Sequence, residues 1–176
     1  MSNLSIELVS GITLTIFLAF ALYTDLTKHR IANKLVFCIL ISGLTIQFYA
    51  SGFTGFLLGL SGIVAGFMIF LPFNILGGMR AGDLKLMAAV GAFLTTNTPI
   101  AAGLSLVAGA VYGLVILFWQ QGFSEYYNRY TTMVLEYTST GKMNYQQPAN
   151  NSVAATSFPY ATAITTGAIL TLILFP

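Results

Sequence analysis

Residues 6–34 read IELVSGITLTIFLAFALYTDLTKHRIANK, an apolar run from Ile6 to Thr24 followed by an aspartate and then by Lys28, His29, Arg30 and Lys34. A membrane crossing takes about 20 predominantly apolar residues, and this run meets that length. Its basic group follows the apolar stretch, no basic residue precedes it, and Glu7 opens it. The segment therefore reads as a retained first helix and not as a cleaved secretory signal.

Further apolar segments follow: Leu35 to Ala50, Phe53 to Leu76, Leu84 to Thr95, Ile100 to Trp119 and Phe158 to Phe175. The breaks fall at turn-forming residues, Ser51-Gly52, Gly77-Gly78 and Asn97-Thr98-Pro99. The expectation is an all-α polytopic membrane bundle of six transmembrane helices. Composition agrees: 56% of residues are hydrophobic, 7% are charged, and the mean hydropathy is +0.82, against about 25% charged residues in soluble domains. The 176 residues read as a single domain spanning 1–176, since nothing resembles a linker between two packed parts. The net charge of +2 does not point to nucleic acid. The single cysteine, Cys38, excludes an internal disulfide and a paired-cysteine metal site, and reads as packing. His29 has no serine, cysteine or metal-ligand partner at a telling spacing, so no cofactor or metal is expected.

Basic residues orient the bundle. The loop from Asp25 to Lys34 holds Lys28, Arg30 and Lys34, and the loop from Gly77 to Lys85 holds Arg80 and Lys85, while Ser51-Gly52 and Thr96 to Pro99 carry no charge. The charged loops are expected in the cytoplasm, with the polar segment at about 120–156 on the same side and both termini on the non-cytoplasmic side. Asp25 and Asp83, the only two aspartates, then face the cytoplasm. Glu7 stands about 27 Å from Asp25 along a helix and belongs near the opposite surface. Asp83 is only about 18 Å of helix from Thr95, which sets it below the cytoplasmic surface. An ionisable side chain at such a depth is costly and points to function, whereas either aspartate alone would serve equally as an interfacial anchor paired with a neighbouring lysine or arginine.

The residues around the two aspartates carry a resemblance. Thr24-Asp25-Leu26-Thr27-Lys28-His29-Arg30-Ile31-Ala32-Asn33 and Gly77-Gly78-Met79-Arg80-Ala81-Gly82-Asp83-Leu84-Lys85 resemble the two catalytic segments of the prepilin peptidases, the type IV pilus leader peptidases, and most closely the short form found with Flp (Tad) pili. The family shows an aspartate, a basic residue and Ile-Pro-Asn at the first segment, and a Gly-Gly-rich stretch ending in GxGD-x-K at the second. Phe158-Pro159-Tyr160-Ala161-Thr162-Ala163-Ile164 is similar to its final Pro-Tyr-x-x-Ala helix. Two departures stand out. Arg80 occupies the first glycine of GxGD, where it would narrow the substrate path, and Ala32 replaces the proline.

The resemblance implies a membrane aspartic endopeptidase of the inner membrane, with Asp25 and Asp83 activating a water to remove the basic leader of a prepilin whose apolar helix lies in the bilayer. Gly82 would let an extended peptide approach the backbone, or simply form the turn before the fourth helix. Arg80, Lys85, Asn33, Pro159 and Tyr160 would shape the site. Lys85 reads more readily as an interfacial anchor and Asn33 as a cap of the second helix. The additional cysteine-bearing domain that larger relatives use for methyl transfer has no counterpart here, so cleavage without methylation is expected. The pairs Gly55-x-x-x-Gly59, Gly62-x-x-x-Gly66 and Gly109-x-x-x-Gly113 read as close helix packing, with a homo-oligomer interface the rarer use. Two other classes compete: a proton- or cation-coupled small transporter, which internal repeats would favour, and a non-catalytic scaffold for pilus assembly.

Overall fold

The computed structural model describes residues 3–28, 30–119, 131 and 160–175. His29, Pro159 and nearly all of the 120–156 segment lie outside the described residues. Most of the described residues are helical, with no strand among them. The helices are α1 (Asn3–Lys28), α2 (Asn33–Ile75), α3 (Ala81–Leu94), a 3-10 turn (Thr95–Asn97), α4 (Thr98–Trp119) and α5 (Ala161–Leu174). The chain forms two compact units, Met1–Gly109 with Pro159–Pro176, and Ala110–Phe158. Asp25, Arg80, Asp83 and Tyr160 all lie in the first.

Three stretches are long and apolar enough to cross a membrane, Ile6–Lys28, Asn33–Ile75 and Ala81–Ile116. Their outward faces carry large apolar side chains such as Ile12, Ile16, Phe37, Phe53 and Met68, all exposed, the pattern of a protein whose solvent is lipid. Cys38 is also exposed, so it points outward and not into the core.

The 43 residues of α2 would extend about 64 Å if straight, twice the thickness of a bilayer core. They do not run straight. Ser51 and Gly52 leave helical geometry, and Gly52 takes φ 62°, a conformation that glycine adopts without the penalty of a Cβ. The two arms, 33–50 and 53–75, fold against each other there. A Cβ on Gly55 would fall on the carbonyl of Gln47, and one on Gly59 would stand 3.0 Å from Leu44 Cδ2. The turn read from Ser51-Gly52 is thus a tight hairpin inside a nominally continuous helix.

The second arm seats α3. A Cβ on Gly62 would strike the Gly91 carbonyl, one on Gly91 would strike Gly62, and Gly66 faces the carbonyl of Met87. Backbone meets backbone, as small residues permit in membrane bundles. The 14 residues of α3 span only about 21 Å, shorter than a bilayer core. From Leu86 to Leu94 each residue is buried, so α3 is the central element, with α1, α2 and α5 packed around it. Phe70, Leu14, Leu18, Ile39, Met87 and Ile164 fill the space between them.

The α2 C-terminus delivers the chain to α3 by a Schellman arrangement. Gly77, at φ 75°, donates to the Asn74 carbonyl, and Gly78 N–H reaches back to Phe73 O at 2.9 Å. Asn74 Nδ2 donates to Met79 O at 2.8 Å, so both the backbone turn and a side chain fix the residue immediately before Arg80.

Candidate active site

Helix α1 runs on past Thr24, so Asp25 sits inside its last turns and not in the following loop. Asp83 likewise lies in the first turn of α3, which starts at Ala81, three residues before the sequence expectation. A carboxylate is favoured there by the unpaired N–H groups and positive dipole end of the helix. Asp25 is completely buried and Asp83 is 2% exposed. Two isolated carboxylates at such burial would each cost several kcal/mol. They are not isolated.

Arg80 joins them. Its backbone is extended and N-caps α3, its carbonyl accepting Asp83 N–H at 3.1 Å. That leaves the side chain for other work. Arg80 Nη2 stands 3.0 Å from Asp25 Oδ1 and 3.4 Å from Oδ2, while Arg80 Nε stands 3.4 Å from Asp83 Oδ2. One planar guanidinium therefore touches both aspartates, and its fork geometry suits it to that contact as an ammonium would not be suited. The Arg80 side chain remains 34% exposed, so the group between two buried acids is itself open to solvent on one side.

The second oxygen of Asp25 has a further partner. Ala161 N–H donates to Asp25 Oδ2 at 3.3 Å, satisfying an orphan donor at the start of α5. Tyr160, the residue before it, packs edge-on against Phe70 with ring centroids 6.2 Å apart. The Tyr160 hydroxyl lies so close to Gly109 that a Cβ there would overlap it. Thus α1, α3 and α5 converge through one carboxylate, with Tyr160 and Phe70 walling the junction.

The other expected site residues are placed as follows. Gly82 is part-exposed, and among the described residues a Cβ built on it would meet Ile31, at 3.7–3.9 Å, which is ordinary contact. Neither packing nor a positive φ demands glycine at 82. Asn33 is not the cap of α2: Ala32 occupies the N-cap, without a side-chain bond, and Asn33 is the first helical residue. Its Oδ1 instead accepts Lys85 Nζ at 3.4 Å, an exposed tie between the starts of α2 and α3. Lys85 is therefore beside Asp83 in sequence yet directed at Asn33. Pro159 lies outside the described residues.

Two contacts gave no sequence signal. The Ala161 N–H is a backbone group, and no side-chain pattern announces that it caps against Asp25. Gly109 was legible as half of a small-residue pair, but an added Cβ at its partner Gly113 meets nothing within 4 Å among the described residues. Gly109 makes room for Tyr160.

The ends of this unit differ in charge. Lys28, Arg30, Lys34, Arg80 and Lys85 lie at the helix ends nearest the aspartates, and Ser51, Thr95 and Phe175 mark the opposite end, where a cavity of about 850 Å³ is lined by Glu7, Gln47, Thr95 and Asn97 among apolar side chains. That cavity is remote from both aspartates, and no group of three or more metal-ligating side chains occurs among the described residues.

A model of the type IV leader peptidase family matches residues 12–114, more than half of the 176-residue chain, with Asp25, Arg80 and Asp83 inside the matched stretch. No curated protein and no solved structure matches the chain significantly. With an apolar helical architecture and its two aspartates held together at one end of the helices, the chain belongs to the type IV leader peptidase family.

Proposed function

We propose that this protein is a membrane-embedded aspartic endopeptidase that removes the cytoplasmic leader from type IV, Flp-like prepilins at the membrane boundary. The observation that carries the reading is the pairing of two buried carboxylates from α1 and α3 through a single guanidinium, in a chain of the leader peptidase family. The wider arrangement in this proposal is one domain with six crossings in the inner membrane. Both termini are outside, and the aspartates face the cytoplasm together with the basic helix ends.

In the reaction, two carboxylates brought within reach of one water share a single proton, because a second negative charge at such a separation is unfavourable. The ionised partner takes a proton from the water as its oxygen attacks the scissile carbonyl carbon. The protonated partner donates to the carbonyl oxygen. Collapse breaks the carbon–nitrogen bond, the leaving nitrogen takes a proton, and the products are a leader ending in a carboxylate and a mature pilin beginning with a free amine. The pair titrates as a unit, so acid and base are assigned to the dyad and not to either residue. Neither a metal nor a cofactor takes part in this scheme, and methyl transfer is not expected.

The room beside Gly82 supports the approach of an extended substrate backbone next to Asp83. Tyr160 walls the site, Pro159 precedes it, and Asn33 with Lys85 forms its exposed edge. The substrate's basic leader would remain in the cytoplasm while its apolar helix lies against the lipid-facing surface.

The test is precursor processing in cells making a Flp-like prepilin with this protein carrying Asp25→Asn or Asp83→Asn. Each variant is expected to leave the precursor at full length on a gel. Processing that persists in both would overturn the protease reading. Lost pilus assembly with normal cleavage would instead indicate a scaffold, and proton or cation flux that depends on the aspartates, with cleavage intact, a transporter.

A further inference from the structure

We propose that Arg80 is a displaceable latch: it occupies the reactive space between Asp25 and Asp83 in the empty enzyme and must turn outward before a substrate peptide can lie between the two carboxylates. The inference deepens the protease reading and rests on it.

Three observations support it. First, the guanidinium does not pair with one acid in passing. Its Nη2 is on Asp25 at 3.0 Å and its Nε is on Asp83 at 3.4 Å, so it stands between the groups that a water and a scissile amide would have to reach together. Second, its backbone and its side chain differ in setting. The Arg80 backbone is fixed as the α3 N-cap by bonds from Asp83 N–H and Leu84 N–H to its carbonyl, and Met79 before it is buried and held by Asn74. The side chain, by contrast, is 34% exposed while its acidic partners are almost wholly enclosed. A change in its side-chain torsions leaves the backbone cap of α3 in place. Third, the contact is not required to satisfy every acceptor: Asp25 Oδ2 keeps Ala161 N–H, and Asp83 remains at the α3 N-terminus when the guanidinium leaves.

A bridge of this kind also limits what can react: hydrolysis of anything other than a peptide able to displace the arm would be suppressed. Binding is correspondingly weakened by the fraction of molecules whose latch is closed.

The experiment uses the full-length protein in lipid nanodiscs and a peptide made of a basic leader ending in glycine and an apolar helix, its scissile amide N-methylated so that it is held and not cut. Arginine-selective labelling with phenylglyoxal, read by mass spectrometry, compares Arg80 with the exposed Arg30 as internal reference. Addition of the peptide is expected to raise labelling at Arg80 at least about threefold. Unchanged or reduced labelling overturns the latch.

In parallel, Arg80→Gly should bind the peptide about tenfold more tightly than the unaltered protein, the gain expected when a closed state populated about ten to one is removed. Equal or weaker binding by a folded Arg80→Gly protein also overturns it. Should that variant fail to fold, the labelling result on the unaltered protein decides. Cleavage of the ordinary precursor by Asp25→Asn keeps the two ideas apart. If that variant cuts, the protease reading fails; if it is inactive while Arg80→Gly binds no better, only the latch fails.

Discussion

Ala161 N–H donates to Asp25 Oδ2 at 3.3 Å across 136 positions of sequence, so a residue proposed to do chemistry also fixes the start of the final helix. The same carboxylate takes Arg80 on its other oxygen at 3.0 Å. The proposed chemistry and the docking of α5 therefore draw on a single buried side chain, and substitutions that preserve an acceptor should separate the two.

Asp25→Asn retains an oxygen that can accept Ala161 N–H, whereas Asp25→Ala leaves that buried donor without an acceptor. An orphaned buried donor costs about 1–3 kcal/mol. Both variants are expected to lose precursor cleavage. Thermal melting in detergent micelles should separate them, with Asp25→Ala melting several degrees below Asp25→Asn. Equal melting temperatures would mean that the α5 contact contributes nothing to stability.

The glycines give a second set of outcomes that differ by cause. Gly62→Ala places a Cβ on the Gly91 carbonyl, and neither helix backbone can yield locally. A cost above about 2 kcal/mol is expected, at the upper end for overpacking. Gly77→Ala meets no neighbour among the described residues but holds φ 75°, so its cost is about 1 kcal/mol of backbone strain. Gly103→Ala, on a helix, meets nothing within 4 Å among the described residues and should be neutral or slightly stabilising. Melting of the three variants side by side checks the order, and a Gly62→Ala protein as stable as Gly103→Ala would contradict the packing of α2 on α3.

What the chain revealed before its structure follows from which forces are local. Apolar run length, the Ser51-Gly52 and Gly77-Gly78 breaks, and the grouping of basic residues all depend on near neighbours, and each is legible along the sequence. The convergence of Asp25 and Asp83 was legible only through their shared setting at basic loops and through the resemblance of their flanking motifs. Arg80 was visible as a departure from a glycine, yet its reach to both acids depends on the α2 C-terminal turn and on how α1 crosses α3. Asn33 was misjudged as a cap because capping is a local rule, whereas its partner Lys85 comes from 52 positions away.

That Asn33–Lys85 contact is exposed and, at 3.4 Å, long. Exposed polar contacts of this kind contribute little, commonly within about 0.5 kcal/mol. Lys85→Met is therefore expected to leave the melting temperature within about two degrees. If Lys85 edges the substrate path, as proposed, the same change should raise KM for a precursor peptide and leave kcat nearly unaltered. A fall in kcat with constant KM would place Lys85 nearer the reacting atoms than its tie to Asn33 indicates.

Gly109 and Tyr160 allow the sharpest check on how α5 meets the dyad. An added methyl at Gly109 would overlap the Tyr160 hydroxyl and press on the ring carbon beneath it, while Phe70 stands edge-on to the same ring. The ring cannot retreat freely, so the strain passes to the neighbouring peptide, which is the Ala161 N–H held by Asp25. Gly109→Ala is expected to lower cleavage about tenfold or more, since a displacement near 1 Å at positioned groups can carry such a loss. Tyr160→Phe removes the hydroxyl that takes the worst of the overlap. Combined with Gly109→Ala it should recover part of the activity, giving a non-additive double-mutant cycle. Additive losses in kcat/KM, measured on all four proteins with one precursor, would show that the two residues act separately and that α5 is not positioned through this contact.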